Sequence, residues 1–332
     1  MTLGRRLFHL GGLAACGLSR RARAAESTAR PPFRIVMLLP AGWDDACSGF
    51  RDYLGQHGIP AELIVRDAAN DMARIAGFVQ EINATRPDLV YVSGTVAALA
   101  ALGRYDAVDP MRHITGVPAL ISMAVDPAAS GIVRSLTEPG RNVTGVLHVA
   151  PVAAQLRSLG AYREYDNVAV VYHRDDPDAV VAVRQLRELL AADDLTVLDV
   201  AVSPEDPVDV LADALRAAKR DGADWLYLPP DPRLEAVRMP LTVAALQAGL
   251  ASFASTEPFL TDGKALAGLV CRRNNVGVLA GRQAGRILLQ GQSASQLPFR
   301  RPNRFVVLIN METARTLELF PPMTVLRYAE VL

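Results

Sequence analysis

Residues 33–54 read FRIVMLLPAGWDDACSGFRDYL. The run RIVMLL at residues 34–39 lacks polar alternation, which is typical of a parallel strand that is covered on both faces. Residues 44–54 place apolar side chains at three- and four-residue intervals, and this spacing predicts an amphipathic helix. Strand, loop and helix in this order indicate an α/β fold.

The same order recurs along the chain in two series that are alike in layout. In the first series, further strands are predicted at residues 62–65, 88–92, 118–122 and 142–147, and helices at 71–82 and 96–102. In the second, strands are predicted at 167–172, 196–201, 225–228 and 251–254, and helices at 178–192, 208–220 and 234–248. The chain then closes with strands predicted at 267–271 and 305–309, a helix at 276–290 and a short helix from Glu312.

Two similar series favour two Rossmann-like lobes over one long sheet, and 332 residues exceed what a single hydrophobic core usually supports. We place the break between the lobes at residues 149–153, and we expect the closing segment to pass between them. The predicted first lobe comprises residues 33–148 and about 256–303, and the predicted second lobe comprises residues 149–255 and about 304–332.

The composition excludes several classes of protein. Half of the residues are hydrophobic, which excludes disorder, and 35 Lys plus Arg balance 35 Asp plus Glu. A protein that binds nucleic acid normally carries a basic excess, because Lys and Arg must neutralise the phosphates. We therefore expect no nucleic acid partner. No later apolar run reaches the length of a membrane-spanning helix.

The first 25 residues have the layout of a signal peptide. Arg5 and Arg6 precede the apolar run LFHLGGLAACGL at residues 7–18, and three more arginines follow before any acidic residue appears. The apolar run is too short to remain as a transmembrane helix. We therefore predict export and removal of residues 1–25, which leaves a mature protein with a net charge of about minus five.

Two kinds of export signal remain open. RRLF at residues 5–8 resembles the twin-arginine export motif, whereas LAAC at residues 13–16 resembles a lipobox in which Cys16 becomes the lipidated N-terminus. Both predict the bacterial envelope, on the periplasmic side where an outer membrane is present. The remaining cysteines are Cys47 and Cys271, and an oxidising compartment would permit a bridge between them.

The chain carries none of the common catalytic or cofactor motifs. It has no GxSxG, GxxxxGK, GxGxxG or HExxH sequence, and its cysteines are not spaced as CxxC. The five histidines are not spaced as metal-ligand pairs on a helix face. We therefore expect neither an enzyme nor a bound cofactor or metal.

Two lobes without a catalytic set are suited to closing on a small molecule, which would lie at the carboxyl ends of the strands of both sheets. The candidate ligand-binding residues of the first lobe are Trp43, Ser93, Gly94, Thr95, Ser122 and Asp126, and those of the second are His173, Asp231 and Glu257.

Each candidate has a chemical reason and, in several cases, a structural alternative. Residues 93–95 precede a helix, so their hydroxyl and N–H groups could hold a carboxylate, or they could simply cap the helix. The ring of Trp43 could stack on a ligand. Asp231 and Glu257 could accept hydrogen bonds from an ammonium or hydroxyl group, although Asp231 could equally cap the helix that follows. His173 follows a strand and could instead lie in a solvated turn.

Two long motifs carry a resemblance to a known family. PGRNVTGV at residues 139–146 resembles the PGxNVTGV crossover of the ABC-transporter substrate-binding proteins that include the tryptophan/tyrosine-type binding proteins. Residues 284–332 resemble the same family's ending: an AGRIL helix, LP, a strand ending in IN, a short helix containing TA, and PP. The leader RRLFHLGGLAA is also similar to family leaders, so the resemblance covers essentially the whole chain.

The resemblance implies a periplasmic-binding fold of type I, with a hinge between two lobes that close on a small solute. It also implies a monomer that delivers the solute to an ABC permease and its ATPase. The alternative is a ligand-sensing subunit of a membrane receptor system that uses the same fold.

Several candidate residues match positions of the family. Residues 93–95 match its Ser/Thr-Gly loop, Asp126 its Asp-Pro, Glu257 the Glu after the last strand of the second lobe, and Asp231 the Asp of a Thr-Asp-Asn loop. Here that loop reads PDP at residues 230–232, so the Asn amide is absent and a proline removes a backbone donor. This departure argues against an α-amino acid ligand.

Overall fold

The computed structural model describes residues 31–202 and 206–332. The predicted signal peptide at residues 1–25, with Cys16 and both export motifs, lies outside the described residues. Within the described ranges, no helix is both long and apolar enough to cross a membrane.

The first sheet has five parallel strands in the order β2-β1-β3-β4-β5. The strands are β1 (Phe33–Leu39), β2 (Ala61–Asp67), β3 (Leu89–Ser93), β4 (Ala119–Ala124) and β5 (Val143–Leu147). The helices α1 (Asp45–Gln56), α2 (Arg74–Thr85) and α3 (Thr95–Leu102) connect them. Strands β1, β3, β4 and β5 are almost wholly buried, as expected for a parallel sheet with helices on both faces.

The second sheet has seven strands in the order β12-β11-β10-β9-β8-β6-β7, and only the β10–β11 pair is antiparallel. Its strands are β6 (Asn167–His173), β7 (Thr196–Val202), β8 (Trp225–Leu228), β9 (Ala251–Ala254), β10 (Ala267–Val270), β11 (Val306–Ile309) and β12 (Glu330–Val331). Its helices are α4 (Val152–Tyr162), α5 (Pro177–Ala191), α6 (Val208–Arg220), α7 (Pro232–Ala236), α8 (Arg238–Gln247), α9 (Pro258–Thr261), α11 (Met311–Thr316) and α12 (Met323–Leu326).

Each sheet separates two apolar layers, because successive side chains of a strand point to opposite faces. On β1, Val36 and Leu38 join one layer, whereas Ile35 and Met37 join the other. The second sheet is covered in the same way, and Trp225 and Leu226 of β8 lie in its two different layers. Two independent double-layered cores explain why the chain forms two lobes.

Helix α10 (Arg273–Leu288) follows β10 and returns the chain to the first lobe, where it packs against α1. Glycines make this close approach possible. A Cβ on Gly277 would lie 1.9 Å from the carbonyl oxygen of Ala46, and one on Gly49 would lie 2.2 Å from that of Asn274. The α1–α10 contact therefore requires residues without side chains at these positions.

The sheet pairing differs from the predicted lobe limits in one segment. The sequence analysis assigned residues from about 256 to the first lobe, but β10 pairs with β9 and α9 packs in the core of the second lobe. The chain therefore leaves the second lobe between β10 and α10. A short 3-10 helix (Ala294–Gln296) follows α10, and the chain crosses again before β11.

Most predicted elements agree with the structure, and three differences stand out. The helix predicted at 234–248 is two helices, α7 and α8, that meet at Val237. Helix α4 was not predicted, because Pro151 and its neighbours were interpreted as a linker. Strand β12 and helix α12 near the C-terminus were also not predicted, since both are very short.

Candidate ligand-binding cleft

The carboxyl ends of strands from both sheets face each other across a cleft. Direct polar contacts join the lobes here. Thr95 at the start of α3 donates a hydrogen bond to Asp178 in the first turn of α5, and Arg273 at the start of α10 pairs with Glu235 on α7. Of the loops that the strand-end rule selected, the one at residues 93–95 takes part directly in the contact between the lobes.

The loop at residues 93–95 joins β3 to α3 through a glycine with positive φ. Ser93 ends β3, and Gly94 adopts a φ of +85°, a conformation that favours glycine. The N–H of Gly94 donates to the carbonyl oxygen of Ser122 at 2.8 Å. Gly94 is the N-cap residue of α3 and has no side chain with which to cap it. The loop therefore does provide the N-cap of α3, as the capping alternative predicts, but without a side-chain hydrogen bond.

Ser93 and Ser122 lie side by side. They are paired residues of the parallel strands β3 and β4, so their side chains share one face of the sheet. Ser122 is completely buried, and its hydroxyl has no hydrogen-bond partner among the described residues. The next residue, Met123, has a φ of +58°, where the β4–β5 register shifts. Positive φ is uncommon outside glycine and clusters at functional sites.

Asp178 is a buried carboxyl group of the second lobe that contacts the first lobe. Its Oδ1 accepts from Thr95 Oγ1 at 2.7 Å, and both residues are buried. Burial raises the pKa of Asp178 to about 8; hydrogen bonds from Thr95 and the backbone of Val125 lower it, whereas Asp176 and Asp126 raise it. The closed interface therefore holds a carboxyl group that is hard to ionise.

Asp176 caps the helix on which Asp178 lies. Its Oδ1 accepts from the N–H groups of Asp178 at 3.0 Å and Ala179 at 2.8 Å. Burial raises the pKa of Asp176 to about 6 despite these hydrogen bonds, and Asp231 contributes to the rise. Two neighbouring carboxyl groups with raised pKa values thus lie at the N-terminus of α5.

Asp231 organises the second lobe's side of the cleft. Its Oδ1 accepts from the N–H groups of Arg233 at 3.0 Å and Leu234 at 3.2 Å. Its Oδ2 accepts from the N–H of His173 at 2.9 Å and lies 2.8 Å from His173 Nδ1. Since Asp231 is fully buried and all these partners belong to its own lobe, it caps α7 and orients His173.

Two arginines directly follow β10. Arg273 lies 2.5 Å from Glu235 of the second lobe and 3.8 Å from Asp44, the N-cap of α1. Burial opposes the charge of Arg273, but the attraction of Glu235 and Asp44 outweighs it and raises the pKa. Arg272 pairs with both Glu257 and Glu330. These ion pairs tie together the first lobe, α7 and the C-terminal strand.

His148 lies at the crossover after β5 and contributes no charge. Its ring Nδ1 lies 3.2 Å from the carbonyl oxygen of Ala124. Burial lowers the pKa of His148 to about 4, and the nearby charge of Arg273 lowers it further. The imidazole is therefore neutral at physiological pH.

A cavity of about 390 Å³ lies beside this interface, within the usual size range of small-molecule sites. Both lobes and the first crossover contribute to its walls. Its lining residues are Val125, Asp126, Val149, Ala150, Pro151, Val152, Ala153, Gln155, Ala182, Gln185, Glu188, Leu189, Tyr227, Pro230 and Arg301. A second cavity, of about 430 Å³, lies wholly in the first lobe near the amino ends of β4 and β5.

The family can be assigned at this point. A model described as ABC transporter substrate binding protein matches residues 35–332, which is most of the chain. The chain belongs to this family. Its members are substrate-binding proteins, in agreement with the two-lobed fold described above.

Relatives of the substrate-binding protein have the same fold. The tyrosine-binding protein of Clostridioides difficile (strain R20291) is 23% identical over 281 residues, covering 83% of this chain and 77% of that protein. A conserved domain protein from Vibrio cholerae is 20% identical with a TM-score of 0.78, and an ABC domain in complex with L-Trp from Streptococcus pneumoniae is 20% identical with a TM-score of 0.74. Each alignment covers 90% of this chain and 99% of that structure. The α/β fold class of periplasmic-binding type I is thereby confirmed.

The remaining candidates of the substrate-binding protein lie at the edges of the cleft. Trp43 is 41% exposed; its indole N–H donates to Ser48 at 2.9 Å, and Arg51 lies over its ring. Asp126 accepts from two N–H groups of its own loop, at 3.1 and 3.0 Å, and borders the cavity. Glu257 pairs with Arg272. Trp43 is therefore largely exposed, whereas Asp126 borders the cavity and Glu257 is engaged in an ion pair.

Sequence reasoning missed several titratable residues of the substrate-binding protein's interface, namely His148, Asp178, Glu235, Arg272 and Arg273. Arg272 and Arg273 could have been found, because they follow a strand as the selected loops do. Glu235 and Asp178 lie within helices, and the sequence contains no signal that they face the opposite lobe.

The two cysteines in the described part of the substrate-binding protein are free. Cys47 and Cys271 are buried in the same apolar layer of the first lobe. Burial raises the pKa of each thiol to about 12, so the reactive thiolate is suppressed. Among residues 31–202 and 206–332, no group of three or more His, Cys, Asp or Glu side chains is placed to hold a metal ion.

Proposed function

We propose that the chain is an exported solute-binding protein that closes its two lobes on a small molecule and delivers it to an ABC permease and its ATPase. The observation that carries this proposal is the buried Thr95–Asp178 hydrogen bond between the lobes. Such a bond exists only when the lobes are together, so closure creates contacts that an open form lacks. The permease would then recognise the closed shape. The family assignment supports transport, and binding occurs without catalysis.

The solute would occupy the cavity of about 390 Å³. Its walls are mainly apolar, which is the usual composition of a small-molecule site, and the amide or charged side chains among them are Asp126, Gln155, Gln185, Glu188 and Arg301. Because both lobes line the cavity, a bound solute would bridge them and favour the closed form. The tyrosine-binding and L-Trp-bound relatives support a ligand of this size.

Export follows from the leader, and the mature protein would act at the periplasmic side of the envelope as a monomer. Cleavage near residue 25 would release a soluble form, whereas lipidation at Cys16 would anchor it. The sensing alternative would use the same closure but signal to a membrane receptor. Reconstitution with the permease encoded beside it separates the two, since only a transport protein stimulates ATP hydrolysis by that permease's ATPase.

A thermal-shift screen of residues 26–332 tests solute binding, because a ligand that binds only the folded state raises the melting temperature. The panel contains amino acids, amines, sugars, nucleosides and small aromatic acids. At a hundredfold excess over Kd, the folded state gains about 2.7 kcal/mol. The absence of any shift across the panel would contradict the proposal.

A variant that fills the cavity tests its location. Ala182 on α5 lines the cavity and is 2% exposed, so Ala182→Leu places three additional carbon atoms in the space meant for solute. We expect at least a tenfold loss of affinity with an unchanged fold. Val180→Leu, on an exposed position of the same helix, is the matched control. Equal affinity of both variants would place the solute elsewhere.

A further inference from the structure

We infer that the cavity of about 430 Å³ in the first lobe is a second binding site, and that it takes a small monocarboxylate with a flat apolar body. The cavity lies at the amino end of β5, whereas the cleft between the lobes lies at its carboxyl end. A strand rises about 3.3 Å per residue, so the five residues of β5 separate the two places by about 15 Å. The inference goes beyond the proposed function and does not depend on it.

Two segments of the first lobe form the walls of this cavity. The segment between α3 and β4 contributes Tyr105, Val108 and Ile114, and the segment before β5 contributes residues 138–143. Residues 139–143 begin the PGRNVTGV motif, but they do not line the cavity at the cleft. The function proposed above therefore leaves this part of the motif without a role.

Arg141 of this motif lines the cavity and has donors to spare. Its Nη1 donates to the carbonyl oxygens of Gly103 at 2.9 Å and Ile132 at 3.0 Å. Its Nη2 donates to that of Leu102. A guanidinium has five N–H groups, so the N–H of Nε and one N–H of Nη2 have no partner among the described residues. Nε and Nη2 form one edge of the fork by which arginine binds both oxygens of a carboxylate.

The charge of Arg141 is not balanced within the chain. Burial lowers its pKa, and no acidic side chain among the described residues is close enough to raise it. The carbonyl groups at the end of α3 favour a cation, but they carry no net charge and cannot neutralise one. A carboxylate on the free edge of the guanidinium would supply the missing negative charge and accept the two unused N–H groups.

Two further charged side chains, Arg134 and Glu138, line the cavity. Both residues are exposed, so water screens their charges more than it screens that of the partly buried Arg141. Two guanidinium groups and one carboxylate leave an excess of one positive charge on the walls. A ligand with a single negative charge balances this excess, whereas a dianion would exceed it. The local charge therefore favours a monoanion.

The remaining walls suit a flat apolar body. Ile114 and Val143 line the cavity and are each only 2% exposed, so this part of the wall belongs to the apolar core. The guanidinium of Arg134 lies over the ring of Tyr105, 5.6 Å from its centroid, and the two offer planar surfaces. The volume of about 430 Å³ is within the usual range of small-molecule sites.

Benzoate and benzamide are a matched pair of probes for the ligand class. They share the ring and nearly the same shape, but only benzoate is charged. We expect titration calorimetry on residues 26–332 to show that benzoate binds about tenfold or more tightly than benzamide, because the charge strengthens both hydrogen bonds to the guanidinium. Equal affinities of the two compounds, or binding of neither, overturns the inference.

Arg141→Lys tests the guanidinium edge, because lysine keeps the charge but cannot bind a carboxylate through a planar fork. We expect it to weaken benzoate binding about tenfold. Arg134→Met removes an exposed charge and should weaken benzoate binding about threefold. Its control is Arg74→Met, since Arg74 lies over the ring of Phe78 in the same way, at 5.7 Å. Unchanged benzoate affinity in both Arg141→Lys and Arg134→Met overturns the inference.

Thr115→Trp tests the location of the site. Thr115 lines the cavity at an exposed position, so an indole ring there would fill part of the space, and we expect benzoate affinity to fall about tenfold. Thr85→Trp, at the exposed end of α2, is the matched control. This pair decides the outcome if Arg141→Lys does not fold. Equal benzoate affinity of the two tryptophan variants overturns the inference.

Arg301→Met separates this site from the cleft, because it removes a cationic side chain of the cleft cavity and should leave benzoate binding unchanged. If Arg301→Met abolishes benzoate binding and Thr115→Trp does not, benzoate binds in the cleft; solute binding then stands and the second site is wrong. If benzoate alone of all compounds binds, and only Thr115→Trp abolishes its binding, the proposed function fails and the second site stands.

Discussion

Arg273 is expected to control how readily the two lobes close. Its guanidinium group joins Glu235 across the lobes at 2.5 Å and lies 3.8 Å from Asp44 of its own lobe. The side chains of Arg273 and Glu235 are 25% and 16% exposed. Replacing Arg273 by Met keeps most of the aliphatic stem but removes the charge, so the closed form loses the pair and retains a partly buried Glu235 without its partner.

The magnitude follows from the burial of the pair. Breaking a buried ion pair costs about 3–5 kcal/mol, whereas exposed pairs contribute about 0–1 kcal/mol. This pair lies between those limits, so we expect a loss of about 2 kcal/mol in the closed form only. Since about 1.4 kcal/mol corresponds to a factor of ten, the closed-to-open ratio should fall roughly 30-fold.

The assay is small-angle X-ray scattering combined with a fluorescence-transfer pair carried on the two lobes. Arg273→Met should enlarge the ligand-free protein and weaken solute binding, and a double-mutant cycle with Glu235→Gln should yield a coupling energy above about 1 kcal/mol. Arg104→Met is the control, because Arg104 pairs with the exposed Asp106 in its own lobe. A coupling energy no greater than for Arg104 and Asp106 would refute the reasoning.

Three further predictions concern pH, packing and thiol reactivity. Burial raises the pKa of Asp178 to about 8 where it contacts Thr95 of the other lobe. Opening the lobes should expose Asp178 and lower this pKa, so closure takes up protons; the closed form should weaken as pH rises towards 8, and Asp178→Asn should flatten this pH profile in scattering. Gly277→Ala should destabilise the fold by about 1–3 kcal/mol in denaturant titration, because its Cβ would collide with a backbone carbonyl group of α1. Gly77→Ala, on an open face of α2, is the control and should leave the stability unchanged or raise it. Native Cys47 and Cys271 should resist a thiol reagent at pH 8 and react only on unfolding, because burial raises the pKa of each to about 12; fast labelling of the native protein would contradict their burial.

Local sequence pattern sufficed for the strands that are buried on both faces. The predicted bounds of β8 and β9 agree with the structure residue for residue, because an unbroken apolar run between polar turns permits little else. Helix α4 escaped prediction although Val152 and Leu159 are buried. Pro151 before it was interpreted as a linker, whereas proline also precedes helices readily.

The lobe to which β10 belongs could not be predicted in the same way. A four-residue apolar strand after a polar loop fits the edge of either sheet, and only its pairing with β9 and β11 decides. The glycines of α10 could have predicted its close packing against another helix, which the sequence analysis did not consider. Gly277 and Gly281 lie one helical turn apart, and a Cβ on either would collide with α1. Their spacing identifies the face of α10 that packs against α1 of the first lobe.

The candidate site, like the lobe of β10, depends on contacts between segments that are distant in sequence. The strand-end rule selected Thr95, whose hydroxyl contacts the second lobe, but its partner depends on how the lobes meet. Thr95 and Asp178 are 83 residues apart in sequence, and each alone resembles an ordinary first-turn residue of a helix. Only the crossovers between the lobes bring the two first turns together.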